Sequence, residues 1–282
     1  MRSRVLAEKI LKWVEEDAPL GDLTSDFVVP RGSVARAVIL LKSSEAVVAC
    51  TEDIAEALAH LGIQVEGLEP SGSLVGKGAS VMALKGDARD ILVLERTLLN
   101  LLNYCMGVAT TARMFVEAAR RVDPRVRVAV TRKTPPGLRE IAKQAARAGG
   151  ADTHRLSLSD AILIKDNHIT LAGGLEEAVR RALARKSFIH KVEVEVQSAE
   201  DALKAARLGV DVVMLDNVSP EEVERAVELL EAEGLRSRVL VEASGGITLD
   251  NIAAYVKAGP DVVSSSAITM RPLPVDISLE VV

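Results

Sequence analysis

From residue 126 to residue 266 the chain repeats one rhythm: a short apolar run, most often rich in valine, a helix-period segment, then the next apolar run. The apolar runs fall at 126–130, 161–165, 191–196, 211–216, 238–243 and 261–266. Helices are expected between them: at 136–148, near 175–185, and from a Ser198 cap to Gly209. Another opens on the capping box Ser219-Pro220-Glu221-Glu222, and another runs from Thr248 to Gly259. Strands alternating with helices build parallel sheets. Six in succession, with no glycine fingerprint of a dinucleotide-binding fold, favour a parallel α/β barrel over an open sheet.

The first hundred residues follow a different pattern and read as α+β. A helix is expected at 4–16, with Val5, Ile10, Leu11 and Val14 on one face. Strands follow on either side of Ser43-Ser44, then a helix at 52–62 and short glycine-broken strands through 63–88. A long helix is expected from about 90 to 121, interrupted at Gly107. The final residues, DISLEVV, have the composition of a strand that returns to this first part. The expected division is 1–105, 106–270 and a returning segment, 271–282.

Composition narrows the function classes. Aromatics make up 2% of the chain and the net charge is −5, which argues against base stacking and nucleic-acid binding. Cys50 and Cys105 form no metal-ligand spacing, and a reducing cytoplasm is the expected setting. The amphipathic N-terminal pattern has no apolar signal core.

Against that acidic background, residues 131–168 concentrate Arg132, Lys133, Arg139, Lys143, Arg147, Arg155 and Lys165 with His154 and His168. A solvated helix face accounts for Arg139, Lys143 and Arg147. It does not account for Arg132-Lys133 or Lys165, which stand where apolar strands end. In a parallel barrel those ends carry the active site. The remaining ends supply Glu195, Asp216-Asn217, Ser244-Gly245-Gly246 and Ser264-Ser265-Ser266. Ordinary turns would account for the glycines and for Asp-Asn, but less readily for two lysines and a glutamate.

Three subsites follow. Ser244-Gly245-Gly246, placed to open a helix, offers backbone N–H groups to a phosphate, although the same tripeptide also makes a tight turn. Glu195 and Asp216 on neighbouring strands suit Mg²⁺ or sugar hydroxyls; Glu193 shares the face of Glu195, and pattern alone does not choose between them. Arg132, Lys133, His154, Arg155 and Lys165 suit a ligand with more than one carboxylate or phosphate. By itself, His154 is also compatible with a satisfied structural histidine.

In order along the chain, LERTLLN, TRKTPPGLR, GGADTHRLSLSDAILIKDNHI, VEVEV, MLDN and EASGGI resemble the quinolinate phosphoribosyltransferase family, as do GDLTS near the start and DISL near the end. The likeness spans nearly the whole chain. It implies an incomplete α/β barrel with an N-terminal α+β sandwich, in homodimers or multiples of dimers. The implied reaction joins quinolinate to phosphoribosyl pyrophosphate with loss of CO₂. By matching positions, Arg132, His154, Arg155 and Lys165 would hold the quinolinate carboxylates and Lys133 would lie near the reacting groups. Glu195 and Asp216 would serve the ribose and Mg²⁺. Ser244, Gly245 and Gly246 would form the phosphate loop, with Ser264 and Ser266 beside it, and Arg96 would reach a neighbouring subunit's site.

Two positions depart from the family pattern: Ala151 stands for a third glycine before His154-Arg155, and Ser266 stands for a glycine in the last-strand loop. A serine hydroxyl at 266 retains a donor for that loop. Three other readings share parts of this pattern. A molybdenum-transport-associated pyrophosphorylase-like protein shares the RKT and HR blocks but not the intact IKDNH and LERT blocks. A barrel aldolase would use Lys165 as a Schiff base, and a non-catalytic barrel would bind a pyridine or nucleotide without turnover.

Overall fold

The computed structural model describes residues 3–282 and divides them into two compact units. Among the described residues the first comprises 3–113, 140–150 and 272–282, and the second 114–139 and 151–271.

The first unit opens on helix α1 (Ser3–Asp17), followed by a short α2 (Leu23–Val28) capped by the Asp22 side chain. The buried face of α1 is Leu6, Ala7 and Ile10; Val5 and Leu11, expected inside, are exposed. Strands β1 (Val34–Leu41) and β2 (Glu45–Val47) flank the expected turn, and α3 (Thr51–His60) follows. Strands β3 (Gln64–Leu68), β4 (Leu74–Gly76) and β5 (Ser80–Asp87) lead into α4 (Ala88–Arg120). By length and composition α4 could cross a membrane, but its most apolar window is 61% buried inside the fold, as in a core helix.

Gly107 does not break α4. A Cβ there would stand 2.5 Å from the Leu273 carbonyl oxygen, so the missing side chain admits a second chain segment against the helix.

The second unit is built on a six-stranded parallel sheet. Its strands are β6 (Arg127–Val130), β7 (Ile162–Ile164), β8 (Val192–Val196), β9 (Val212–Asp216), β10 (Leu240–Ser244) and β11 (Val262–Ser265). They lie in the order β6-β11-β10-β9-β8-β7, so two strands consecutive in sequence occupy opposite edges. Among the described residues those edges do not pair. An isolated parallel bridge from Ala129 to Asp152 extends the β6 edge instead, leaving the barrel incomplete.

The helices are α5 (Arg139–Ala148), α6 (Asp166–Ala172), α7 (Leu175–Arg185), α8 (Ala199–Arg207), α9 (Pro220–Ala232), α10 (Ile252–Lys257) and α11 (Ala267–Met270). Helix α5 groups with the first unit. Ser198 and Ser219 cap α8 and α9 as expected, each accepting an N–H from the first turn. Thr248 does not cap α10. The helix begins at Ile252, and the Asn251 side chain accepts the Thr248 N–H at 2.8 Å. Lys143, expected on a solvated face of α5, is 1% exposed and partnered.

The last strand, β12 (Ile277–Val281), pairs antiparallel with β1 at the edge of the first unit's sheet, which runs β12-β1-β5-β3.

Candidate active site

Strand alternation sorts the side chains of the parallel sheet into two sets. Val194, Val196, Val213, Leu215, Val241, Ala243 and Val263 are at most 5% exposed and form the apolar face that takes the helices. The opposite face carries Glu193, Glu195, Asp216, Glu242, Ser244 and Ser264. Barrel interiors are ordinarily filled by branched apolar side chains, so a face this polar marks a site.

Register arranges these residues in layers. Asp216, Ser244 and Ser264 lie side by side on β9, β10 and β11. One layer toward the strand starts, Glu195 and Glu242 both align with Met214, from either side of β9. Glu193 lies one layer deeper still, opposite Leu163 and Val212.

Arg132, Lys133 and Lys165 stand just past the carboxyl ends of β6 and β7; Arg155, from the loop before β7, lies nearer the start of that strand. Lys165, just past β7, makes an ion pair with Glu195. Its backbone N–H donates to the His168 ring at 3.0 Å, which ties down the start of α6. Arg155 is buried and its guanidinium donates to the Ala161 carbonyl at 3.0 Å. Its pKa is lowered by burial and by the nearby charge of Arg132. The Arg132 Nε is itself buried and without a hydrogen-bond partner. Lys133 is exposed, its backbone fixed by Thr131 Oγ1 at 3.0 Å and by the Thr269 hydroxyl on its carbonyl at 2.7 Å.

His154 sits deeper. Its backbone is left-handed, with φ 51°, and its N–H donates to Asp152 Oδ1 at 2.8 Å. Nε2 lies 3.2 Å from Glu193 Oε2 and 3.3 Å from Glu242 Oε2, so Nε2 carries a proton facing the carboxylates. Burial opposes a charged ring, but the hydrogen bonds to Glu193 and Glu242 outweigh it and push the pKa up to about 10. In the neutral ring Nδ1 accepts the Arg155 backbone N–H at 2.7 Å; the second proton would displace that contact. Glu193 is raised by its burial, against the pull of His154.

Gly245 and Gly246, at φ 90° and 64°, form a left-handed turn. A Cβ on Gly245 would lie 2.4 Å from Asn217 Oδ1. The helix starts at Ile252 rather than here, so the expected helix N-terminus is replaced by a glycine turn with intervening loop residues. Ser266 immediately precedes the four-residue α11, and the Ser264 hydroxyl is buried without a partner.

The second unit therefore carries Arg132, Lys133, Lys165, Glu195, Asp216, Ser244, Gly245, Gly246, Ser264 and Ser266 at or near the carboxyl end of one sheet, with His154 and Arg155 deeper beside it. Arg96 belongs to the first unit, on α4. It is exposed rather than buried among its apolar neighbours, and its side chain reaches solvent.

Residues 22–106 match the N-terminal domain of quinolinate phosphoribosyl transferase and residues 108–280 its C-terminal domain. The chain belongs to the quinolinate phosphoribosyltransferase family. A relative from Methanothermobacter thermautotrophicus, named a probable nicotinate-nucleotide pyrophosphorylase (carboxylating), is 45% identical over 96% of this chain and 97% of its own. The human nicotinate-nucleotide pyrophosphorylase (carboxylating) is 38% identical over 98% of this chain and 91% of its own. The solved nicotinate-nucleotide pyrophosphorylase of Francisella tularensis superposes with a TM-score of 0.89 at 33% identity, covering 100% of this chain and 98% of that one. Members of the quinolinate phosphoribosyltransferase family thus share this architecture from end to end.

Sequence reasoning misses Glu242 and does not separate Glu193 from Glu195. The available signal is alternation: both glutamates stand in largely apolar strands, on the face opposite the buried valines.

Proposed function

We propose that this chain transfers the phosphoribosyl group of phosphoribosyl pyrophosphate to quinolinate, giving nicotinate mononucleotide, CO₂ and pyrophosphate in NAD biosynthesis. Beyond family membership, one observation carries the reading: a row of cations, Arg132 and Lys165 past the strand ends with Arg155 and His154 deeper, stands beside a sheet face that is acidic and hydroxylic. A dicarboxylate fits the first and a ribose with its phosphates the second.

In this reading the pyridine nitrogen attacks the anomeric carbon as the bond to pyrophosphate breaks. Glu195 and Asp216 hold the ribose hydroxyls and face the positive charge that develops there. Lys133, exposed at the rim, stabilises negative charge on the departing pyrophosphate. Ser244 and the Gly245-Gly246 turn take the phosphate end, with Ser264 and Ser266 beside them. Arg132, His154, Arg155 and Lys165 orient the two carboxylates. The 2-carboxylate then leaves as CO₂, and the ring carbon it leaves takes a proton.

Mg²⁺ suits the same place. Glu195 and Asp216 offer carboxylate oxygens from neighbouring strands on one face, a hard donor set. Bound there, the ion would offset phosphate charge. Arg96 is the residue we assign to a second copy's site, in a homodimer. Both cysteines are buried free thiols, which supports a reducing cytoplasm as the setting.

The test is direct: incubate the protein with quinolinate, phosphoribosyl pyrophosphate and Mg²⁺, and follow nicotinate mononucleotide and CO₂. Nicotinate in place of quinolinate should be a poor substrate, because a single carboxylate leaves part of the cationic row unpaired. Binding of quinolinate without turnover, or equal use of nicotinate, would refute the assignment.

A further inference from the structure

Two buried carboxylates have no part in the reaction just described. Glu193 is 6% exposed and Glu242 2% exposed. They come from β8 and β10, with β9 between them, yet both reach the same nitrogen of one ring, His154 Nε2, at 3.2 and 3.3 Å. We propose that Glu193 and Glu242 are positioning residues that grip the His154 imidazole from beneath and fix its place in the wall that receives the pyridine carboxylates. This rests on the functional reading above.

Three observations lead there. First, the pair is poorly suited to stabilising the fold. Buried ion pairs are often matched or exceeded by apolar side chains of similar volume, and Glu242 Oε1 has no hydrogen-bond partner at all. The carboxylates are explained by what they hold rather than by what they add to the core. Second, His154 is held at its other end as well. Its backbone sits at φ 51°, and Asp152 fixes its N–H. Asp152 is itself bound to β6, donating to the Val128 carbonyl at 2.7 Å and accepting from Val130 N–H at 3.0 Å. A non-glycine residue at positive φ, bonded at backbone and ring, is preorganised. Third, the charges balance locally. Arg155 follows His154 in the chain, and the charge of Glu193 acts on both cations. Glu195, one layer nearer the strand ends, meets Lys165 rather than the ring, which is left to the deeper pair. A loose imidazole would still carry charge, but it would not present that charge at a fixed place, and orientation is what a rigid dicarboxylate requires.

The experiment is a double-mutant cycle on the full-length enzyme, using Glu242→Gln, Glu193→Gln, His154→Ala and the combinations with His154→Ala. Each single Gln variant should raise the KM for quinolinate by about tenfold or more, the size typical when a supporting partner is removed. The KM for phosphoribosyl pyrophosphate should stay within about twofold. In the His154→Ala background, adding Glu242→Gln should move the quinolinate KM by less than about twofold, because the residue it acts through is gone. Glu193→Gln makes the same test from the other side of the ring should Glu242→Gln fail to fold. Wild-type protein that makes no nicotinate mononucleotide would refute the functional reading itself. Wild-type turnover with an unchanged quinolinate KM in both Gln variants would overturn the positioning role. So would a full additional loss in the His154→Ala background, or a stoichiometric metal ion that copurifies with the wild type and is lost in Glu242→Gln, since the same three side chains also have ligand spacing.

Discussion

Cys50, His154 and Asn217 are the non-glycine residues with positive φ among those described, and two of them lie at the candidate site. Asn217 shows what the strain accomplishes. Its backbone N–H donates to the Ser244 carbonyl at 2.9 Å and its side chain to Asp216 at 2.7 Å, so one residue joins the acidic subsite to the glycine turn. Gly245→Ala should break this junction: the new Cβ meets Asn217 and the φ of 90° disfavours any side chain. We expect a loss of about 1–3 kcal/mol in stability, read from denaturant midpoints, and a higher KM for phosphoribosyl pyrophosphate. Lys133→Ala should behave differently. The side chain is exposed, so the circular dichroism spectrum and melting temperature should not change. Turnover should fall by about 100-fold or more if the lysine stabilises the leaving group; near-normal kcat would remove it from the mechanism.

At the scale of elements, glycine sets how closely segments pack. A Cβ on Gly149 would stand 2.2 Å from the Ala109 carbonyl oxygen, so this residue, just past α5, lies directly on α4. Gly149→Val should force the two apart, destabilising the protein by about 1–3 kcal/mol; an unchanged unfolding midpoint would show that the contact yields freely. The strands of the parallel sheet were legible because each is a short run dominated by branched aliphatic residues between helical segments. Much of the candidate site was legible because Arg132, Lys133, Lys165, Glu195 and Asp216 fall at or near the ends of those runs, whereas His154 and Arg155 stand out only by the local concentration of charge. What sequence did not reveal has physical reasons. Helix α6 is a short polar segment with no buried residue, so it leaves no apolar period. Lys143 reads as solvated because its type is usually exposed, and only tertiary packing buries it. Glu242 sits within an apolar strand, and its partner His154 lies 88 positions earlier in the chain, a pairing that only the sheet order creates.

At the scale of the whole molecule, the proposed dimer makes a claim about sharing. Arg96 is exposed on α4, free to meet a second copy. Inactive Arg96→Ala and inactive Lys133→Ala proteins, mixed and allowed to exchange subunits, should regain activity, because one site of each mixed dimer would hold both native residues. Confirmed exchange without recovered activity would place Arg96 outside the partner's site. A different consequence follows from β12. The first unit's sheet draws its edge strand from residues 277–281, and the unit as a whole is assembled from three separate stretches of chain. On the ribosome, β1 emerges some 240 residues before the strand that covers it, with its backbone edge open to other chains in the interval. The parallel sheet has a smaller version of the same delay, since β6 waits for β11, but β1 waits longer for β12, and the unit that begins the chain is the more exposed to nascent-chain mispairing.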